Sequence, residues 1–160
     1  MLKINIICVG KIKESFFRDA IEEYSKRLNK YCTLNIIELP DEKIPNNASE
    51  KEVIAIKEKE GQNILNNIKN SSYVICMDLK GKQFSSEEFS EKLNNISLNF
   101  NSTINFIIGG SLGLAKNVLD IADELISFSR MTFPHQLFRI ILLEQIYRAF
   151  KISNNEAYHK

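Results

Sequence analysis

The chain has little of what usually announces a chemistry. It holds three cysteines, Cys8, Cys32 and Cys76, with no C-x-x-C pair, and only two histidines. An odd number of widely spaced cysteines, two of them inside apolar runs, predicts buried free thiols in a reducing cytosol. No cluster of His, Cys or carboxylates has metal-ligand spacing, so no metal is expected. No apolar stretch approaches the roughly 20 residues that span a bilayer, so no membrane partner is expected. Met1–Val9 carries one Lys and a short apolar run but no small-residue cleavage site. It does not read as a signal peptide, and a cytoplasmic location is expected. Without such a signal, the Asn-x-Ser/Thr triplets at Asn70, Asn95 and Asn101 carry no weight. A net charge of +1 argues against tight binding of naked nucleic acid by charge alone, though not against a substrate presented by a larger particle. Repeats, linkers and low-complexity segments are also missing, which leaves one domain.

What is present is regular. Ile4–Val9, Thr33–Leu39, Tyr73–Met77, Thr103–Ile108 and Leu125–Ser129 read as strands, the first of them buried on both faces. Between them lie helical patterns over Glu14–Leu28, from Ser49 to about Lys69, from Ser85 to about Leu98, and from Lys116 to about Glu124. Ser49-Glu50-Lys51-Glu52 and Ser85-Ser86-Glu87-Glu88 are capping boxes. Pro40 ends the second strand, and Asp41–Asn47, with Pro45, reads as a polar loop, as does Asp78–Phe84. Pro134 stands in the first turn of a last helix that reaches about Phe150. The alternation predicts an α/β fold with a mostly parallel five- to six-stranded sheet and helices on both faces.

The chemistry concentrates at one end. Arg130–Lys160 holds both histidines, five of the 21 Lys and Arg and two of the 20 acids, for a net +3; the rest has 16 bases against 18 acids, a net −2. That asymmetry points to a local site. In open parallel sheets ligands bind beyond the carboxyl ends of the strands, where Met77–Lys82, Gly109–Leu114 and Phe128–Pro134 would meet. Gly109-Gly110-Ser111-Leu112-Gly113 is neither G-x-G-x-x-G nor a P-loop, which disfavours a dinucleotide or nucleoside triphosphate. His135, at a helix N-terminus, should be neutral, with Arg139 four residues on along the same face. The last helix is apolar on nearly every side, and a subunit interface is expected to take the surface that the sheet does not.

Met77-Asp78-Leu79-Lys80-Gly81-Lys82, Phe106–Leu114, Met131-Thr132-Phe133-Pro134-His135, Tyr147-Arg148-Ala149-Phe150 and the terminal Tyr158-His159-Lys160 closely resemble the bacterial large-subunit ribosomal RNA pseudouridine N3-methyltransferases of the SPOUT superfamily. The similarity runs essentially end to end. It implies S-adenosyl-L-methionine as methyl donor, a homodimer, a C-terminal trefoil knot and a ribosomal (23S) RNA substrate. Periodicity would never have suggested the knot, because threaded chains are so rare. The resemblance places cofactor contacts at Met77, Gly109, Phe128, Ser129, Arg130, Met131, Thr132 and Phe133. Met77 stands where the family often has Leu, and Ser111-Leu112 where some members have a polar pair.

Methyl transfer to a ring nitrogen needs alignment and proximity and a group that takes the imide proton. His135, Arg139 and the tail are the expected partners of the target nucleotide, with Tyr158 or His159 acting on the proton. Two rival readings remain: a SPOUT methyltransferase of another RNA base, and a non-catalytic ribosome-associated factor.

Overall fold

The computed structural model describes residues 1–99 and 102–160; Asn101, in the last of the glycosylation-type triplets, lies outside them. Five strands form one parallel sheet: β1 Lys3–Val9, β2 Thr33–Leu39, β3 Tyr73–Lys82, β4 Thr103–Ile108 and β5 Glu124–Ile126, in the order β2-β1-β4-β3-β5. Among the described residues five helices accompany them: α1 Ser15–Leu28, α2 Glu50–Leu65, α3 Ser86–Asn99, α4 Lys116–Leu119 and, after the last strand, α5 His135–Ser153. The fold class is as the alternation predicts, with five strands.

Side-chain parity divides the core into two layers. Ile4, Ile6 and Cys8 of β1 with Ile104, Phe106 and Ile108 of β4 face α1, α3 and α5, where Leu28, Phe89, Leu93, Leu142, Leu143 and Ile146 meet them. Ile7, Val9 and Ile107 face the other way, onto Ile64 of α2 and Val118 of α4. All three cysteines are buried and unpaired, as expected. Burial pushes the thiols up, to about 11 for Cys8 and Cys32 and about 12 for Cys76, so they stay protonated and inert. Among the described residues no helix is long and apolar enough to cross a membrane, and no group of His, Cys and carboxylates gathers to hold a metal.

Local chemistry sets most boundaries. The Ser49 hydroxyl accepts from the Glu52 amide while the Glu52 carboxylate accepts from the Ser49 amide, the complete reciprocal box. At Ser85 the hydroxyl accepts from the Glu88 amide. Pro134 is the N-cap of α5 rather than a residue of its first turn, and α5 runs on to Ser153. Two expectations fail for a shared reason. Asp78–Phe84 reads as a polar loop, yet β3 continues to Lys82, and α4 is a single turn ending at Leu119. In both places a neighbouring segment decides: after α4 the Asp123 amide donates to the Val74 carbonyl at 2.9 Å, which starts β5 beside β3. Lys82 pairs with Ile126 across an irregular register, and a Cβ on Gly81 would stand 2.5 Å from the Ile126 carbonyl carbon. Only glycine admits that approach.

α5 packs against both α1 and α3 while its inner face meets the sheet. Packing inside one domain therefore accounts for most of its apolar circumference, and α1 and α3 take part of the surface expected to lie in a subunit interface. What remains outward is a stripe of exposed Leu137 and half-buried Ile140 and Ile141.

Candidate functional site

At the carboxyl end of the sheet a cavity of about 490 Å³ opens between the three loops. Its walls come from Met77–Lys80 of β3, Ile108–Leu114 after β4, Ile126–Ser129 and Met131–Phe133 after β5, and His135 and Phe138 of α5. The strand order makes this inevitable. β4 and β5 flank β3, so their outgoing loops rise on either side of it.

Each wall has a local cause. After β4 the chain folds on itself: the Gly113 amide donates to the Gly110 carbonyl at 3.0 Å, and Gly113 holds φ +83°. A Cβ on Gly109 would stand 2.9 Å from the Gly113 carbonyl carbon. Glycine at 109 is therefore required by the closure of the loop itself. After β5 the Ser127 hydroxyl donates to the Ser129 carbonyl and the Ser129 hydroxyl accepts from the Met131 amide, both at 2.9 Å. The Ser127 amide also donates to the Lys82 carbonyl at 3.0 Å. Behind this loop, Phe128 lies edge-on to Phe89 and tilted against Phe138, which stacks with Phe133. Below the glycine loop sits a buried carboxylate, Glu60, accepting from the Glu42 amide at 2.9 Å. Burial, with Asp41 and Glu42 nearby, raises its pKa above the ordinary carboxylate value.

Of the residues expected to hold a methyl donor, Met77, Gly109, Phe128, Ser129, Met131, Thr132 and Phe133 line this cavity, while Arg130 is exposed and outside its lining. His135 lines it as well. Burial first, and the Arg139 charge second, hold its imidazole below the ordinary pKa. The neutral form is the one expected, though for causes other than the helix dipole. Phe138 was missed; its signal is a position three residues after His135, on the same helical face. The donor set fits a partly apolar, partly polar ligand: rings and aliphatic chains form the walls, and backbone of two tight loops forms the rim.

Arg139 is placed differently from expectation. It does not line the cavity and is 2% exposed. Its Nη1 meets Glu38 Oε2 at 2.7 Å, and its Nη2 donates to the Gly10 carbonyl at 2.6 Å. Within one chain it ties α5 to the ends of β1 and β2 instead of facing a nucleotide.

The tail folds back onto α5. Tyr158 lies edge-on to Tyr147, its ring under the Arg148 guanidinium and its hydroxyl donating to Glu144 Oε1 at 3.1 Å. Burial first, then the Glu144 contact, raise the phenol pKa. His159 bridges Arg148 Nη1, 3.1 Å from Nδ1, and Glu87 Oε1, 2.6 Å from Nε2. A guanidinium only donates, so Nδ1 accepts and Nε2 carries the proton. Neither residue lines the cavity of its own chain.

Comparison with known proteins gives the family. The model of a family described as predicted SPOUT methyltransferase matches residues 2–159. Ribosomal RNA large subunit methyltransferase H of Clostridium botulinum (strain 657 / Type Ba4) is 64% identical over 159 residues, covering 99% of this chain and 100% of the relative. The protein of the same name from Clostridium beijerinckii is 62% identical with the same coverage. A solved structure of a probable methylase family protein from Haemophilus influenzae Rd KW20 superposes with TM-score 0.58 at 14% identity, covering 100% of this chain and 72% of that one, a likeness of fold. The chain belongs to the SPOUT methyltransferase family.

Proposed function

We propose that this protein transfers a methyl group from S-adenosyl-L-methionine to N3 of a pseudouridine in large-subunit ribosomal RNA, on assembled ribosomes. The observation that carries the reading is the one cavity onto which seven of the eight expected donor-contact residues converge, in a chain 64% identical to a ribosomal RNA large subunit methyltransferase H. S-adenosyl-L-methionine supplies an electrophilic methyl group when bound. The apolar walls at Met77, Phe133 and Phe138 suit its adenine and aliphatic parts, and the loop backbone suits its polar edges. Neutral His135 at the cavity wall orients a nucleotide without adding a cation beside the donor's own positive charge.

The active protein is a homodimer, with the outward stripe of Leu137, Ile140 and Ile141 as its seam. The tail's chemistry then acts across that seam. Tyr158 and His159 lie outside their own chain's cavity but hang on the same helix whose first residue, His135, lines it. Tyr158 relays the N3 proton by passing its own to Glu144, to which its hydroxyl donates, or His159 takes the proton at Nδ1 once Arg148 turns away from it, and Arg148, which contacts both, positions them. The C-terminal trefoil belongs to the same reading, supported by the close passage of Ile126 against Gly81.

The test is to incubate the protein and labelled S-adenosyl-L-methionine with 70S ribosomes, separated subunits and transfer RNA, then map the label. Label at one large-subunit pseudouridine, on ribosomes only, is the expected result. Label in transfer RNA would redirect the activity, and donor binding without any transfer would leave a non-catalytic ribosome-associated factor. Equal rates on protein-free RNA would remove the need for an assembled particle.

A further inference from the structure

Cations stand at the carboxyl end of the sheet without ion-pair partners. Among the described residues Lys11, Lys13, Arg18, Lys80, Lys82 and Arg130 have no carboxylate within 4.0 Å, whereas Lys26, Arg27, Arg139, Arg148 and Lys151 are all paired. Three of the unpaired six fall within eight residues at the start of α1. That is the wrong end of a helix for positive charge, since the exposed amides there already carry a partial positive charge. α1 has Glu14 at its N-cap, without a side-chain cap hydrogen bond, and no acid in its first turn. Positive charge gathered at this end of a helix, beyond the one contact that Arg18 makes with the Ile12 carbonyl, marks a place shaped by a ligand.

The segment carrying these cations is held at four points. The Gly10 carbonyl accepts from Arg139 at 2.6 Å, and the Ile12 amide donates to Glu38 at 2.9 Å. The Ile12 carbonyl accepts from Arg18 at 3.1 Å, and the Lys13 amide donates to Gln136 at 3.2 Å. Buried Arg139 thus fixes a surface segment, and Gln136 sets it directly beside His135, a residue of the cavity wall. At its end stands Phe16, 64% exposed, with its ring centroid 4.4 Å from that of half-buried Phe17. Helical spacing predicts Phe16 on the core stripe of α1; the structure leaves it in solvent, backed by a second ring.

We infer that Phe16, with Lys11, Lys13 and Arg18, is a stacking platform for an unpaired base of the RNA strand that enters the cavity. Single-stranded RNA is held by bases stacked on aromatic rings and by cations that track its phosphates, and a rigid segment presents both without an ordering cost. A second copy of the chain fits this surface poorly, because a two-fold contact would bring the same unpaired cations together. The inference rests on the RNA-methylating reading and extends it to a nucleotide other than the one modified.

The chain contains no tryptophan, so Phe16→Trp installs a unique fluorescent reporter. Its emission should be quenched by a single-stranded RNA oligonucleotide at low salt and recover as salt rises. Phe16→Ala should lower kcat/KM on ribosomes about tenfold, the scale of one lost base stack, with donor affinity and sedimentation unchanged and activity restored by Phe16→Trp. Emission indifferent to RNA, emission that changes on dilution of the protein alone, or wild-type kcat/KM in Phe16→Ala would each overturn the platform. Quenching by RNA in a protein that methylates nothing would uphold it while removing the methyltransferase reading. Methylation without quenching would do the reverse.

Discussion

The two ends of the parallel sheet each carry a hollow, about 490 Å³ at the carboxyl end and about 760 Å³ at the amino end. The larger is the more polar, lined by Asn5, Asn35, Asn105, Ser72 and Lys69 among others. Size and polarity alone would select it as a site. Hydrogen bonding selects against it. Asn35 donates to Asn5 at 3.0 Å, Asn5 to Asn105 at 2.8 Å, and Asn105 to Ser72 at 2.7 Å, a ladder across four segments held in register by the parallel pairing. Those amides are occupied with one another. At the carboxyl end the polar side chains act on the loops themselves, as Ser127 and Ser129 do, and the walls are rings and glycine backbone. At the amino end the amide ladder holds strands together; at the carboxyl end the polar groups shape open loops.

The contrast is broken most sharply by a substitution at each end. Gly109→Val would drive a branched side chain into the Gly113 backbone and reshape the loop. Donor affinity, measured by calorimetry, and methyl transfer should both fall by at least about 10²-fold, on the scale of misplaced reacting groups. The Asn5→Ala, Asn35→Ala double variant, at the other end, should methylate within about twofold of wild type, because neither residue touches the cavity; activity lost there would show that both ends serve one site. Next in size is removal of Tyr158–Lys160. Transfer should drop about 10²-fold, the scale of a lost acid–base group, with donor affinity within a few-fold. Normal transfer would make the tail a packing element only.

Smaller effects report on stability. Asn105→Ala should cost about 1–3 kcal/mol, since it strands Asn5 and Ser72 beside a buried position, with catalysis intact; urea unfolding in parallel with a transfer assay separates the two. Smallest is Glu60→Gln. Glu60 has a raised folded pKa, so its share of stability is present below the ordinary carboxylate value and lost as pH rises through the raised one. Glutamine removes that loss. The variant should melt slightly higher than wild type near neutral pH and no higher below about pH 4. An equal gain at both would mean that ionisation of Glu60 is not the cause.

Elements whose cause is local were legible in the sequence. The Ser49 box, the apolar run of β1 and the two loops after β4 and β5 all depend on neighbours a few residues away. The asparagine ladder was not, because Asn5, Asn35 and Asn105 become neighbours only through strand register. Arg139 was misjudged for the same reason. Its spacing from His135 puts both on one helical face, but Glu38, 101 residues away, decides that the guanidinium is buried. The tail was expected to meet the target nucleotide, but its contacts within the chain were not legible, because Glu87 stands 72 residues from His159 and the tail reaches Glu144 and Arg148 only by folding back onto α5. Seven of the cavity-lining residues were foreseen because the resemblance named positions that strand order then brought together.

The order β2-β1-β4-β3-β5 also has a consequence for how the chain is made. β1 pairs with β2 soon after both leave the ribosome, but its other edge waits for β4, Lys3 meeting Thr103. At about 5–20 residues per second, that edge stays open for roughly 5–20 s of synthesis. β3 emerges in the interval, and pairing directly with β1 would fill the place that belongs to β4. The long delay before the central strand arrives makes mispairing of β1 with β3 the characteristic hazard of this chain's synthesis.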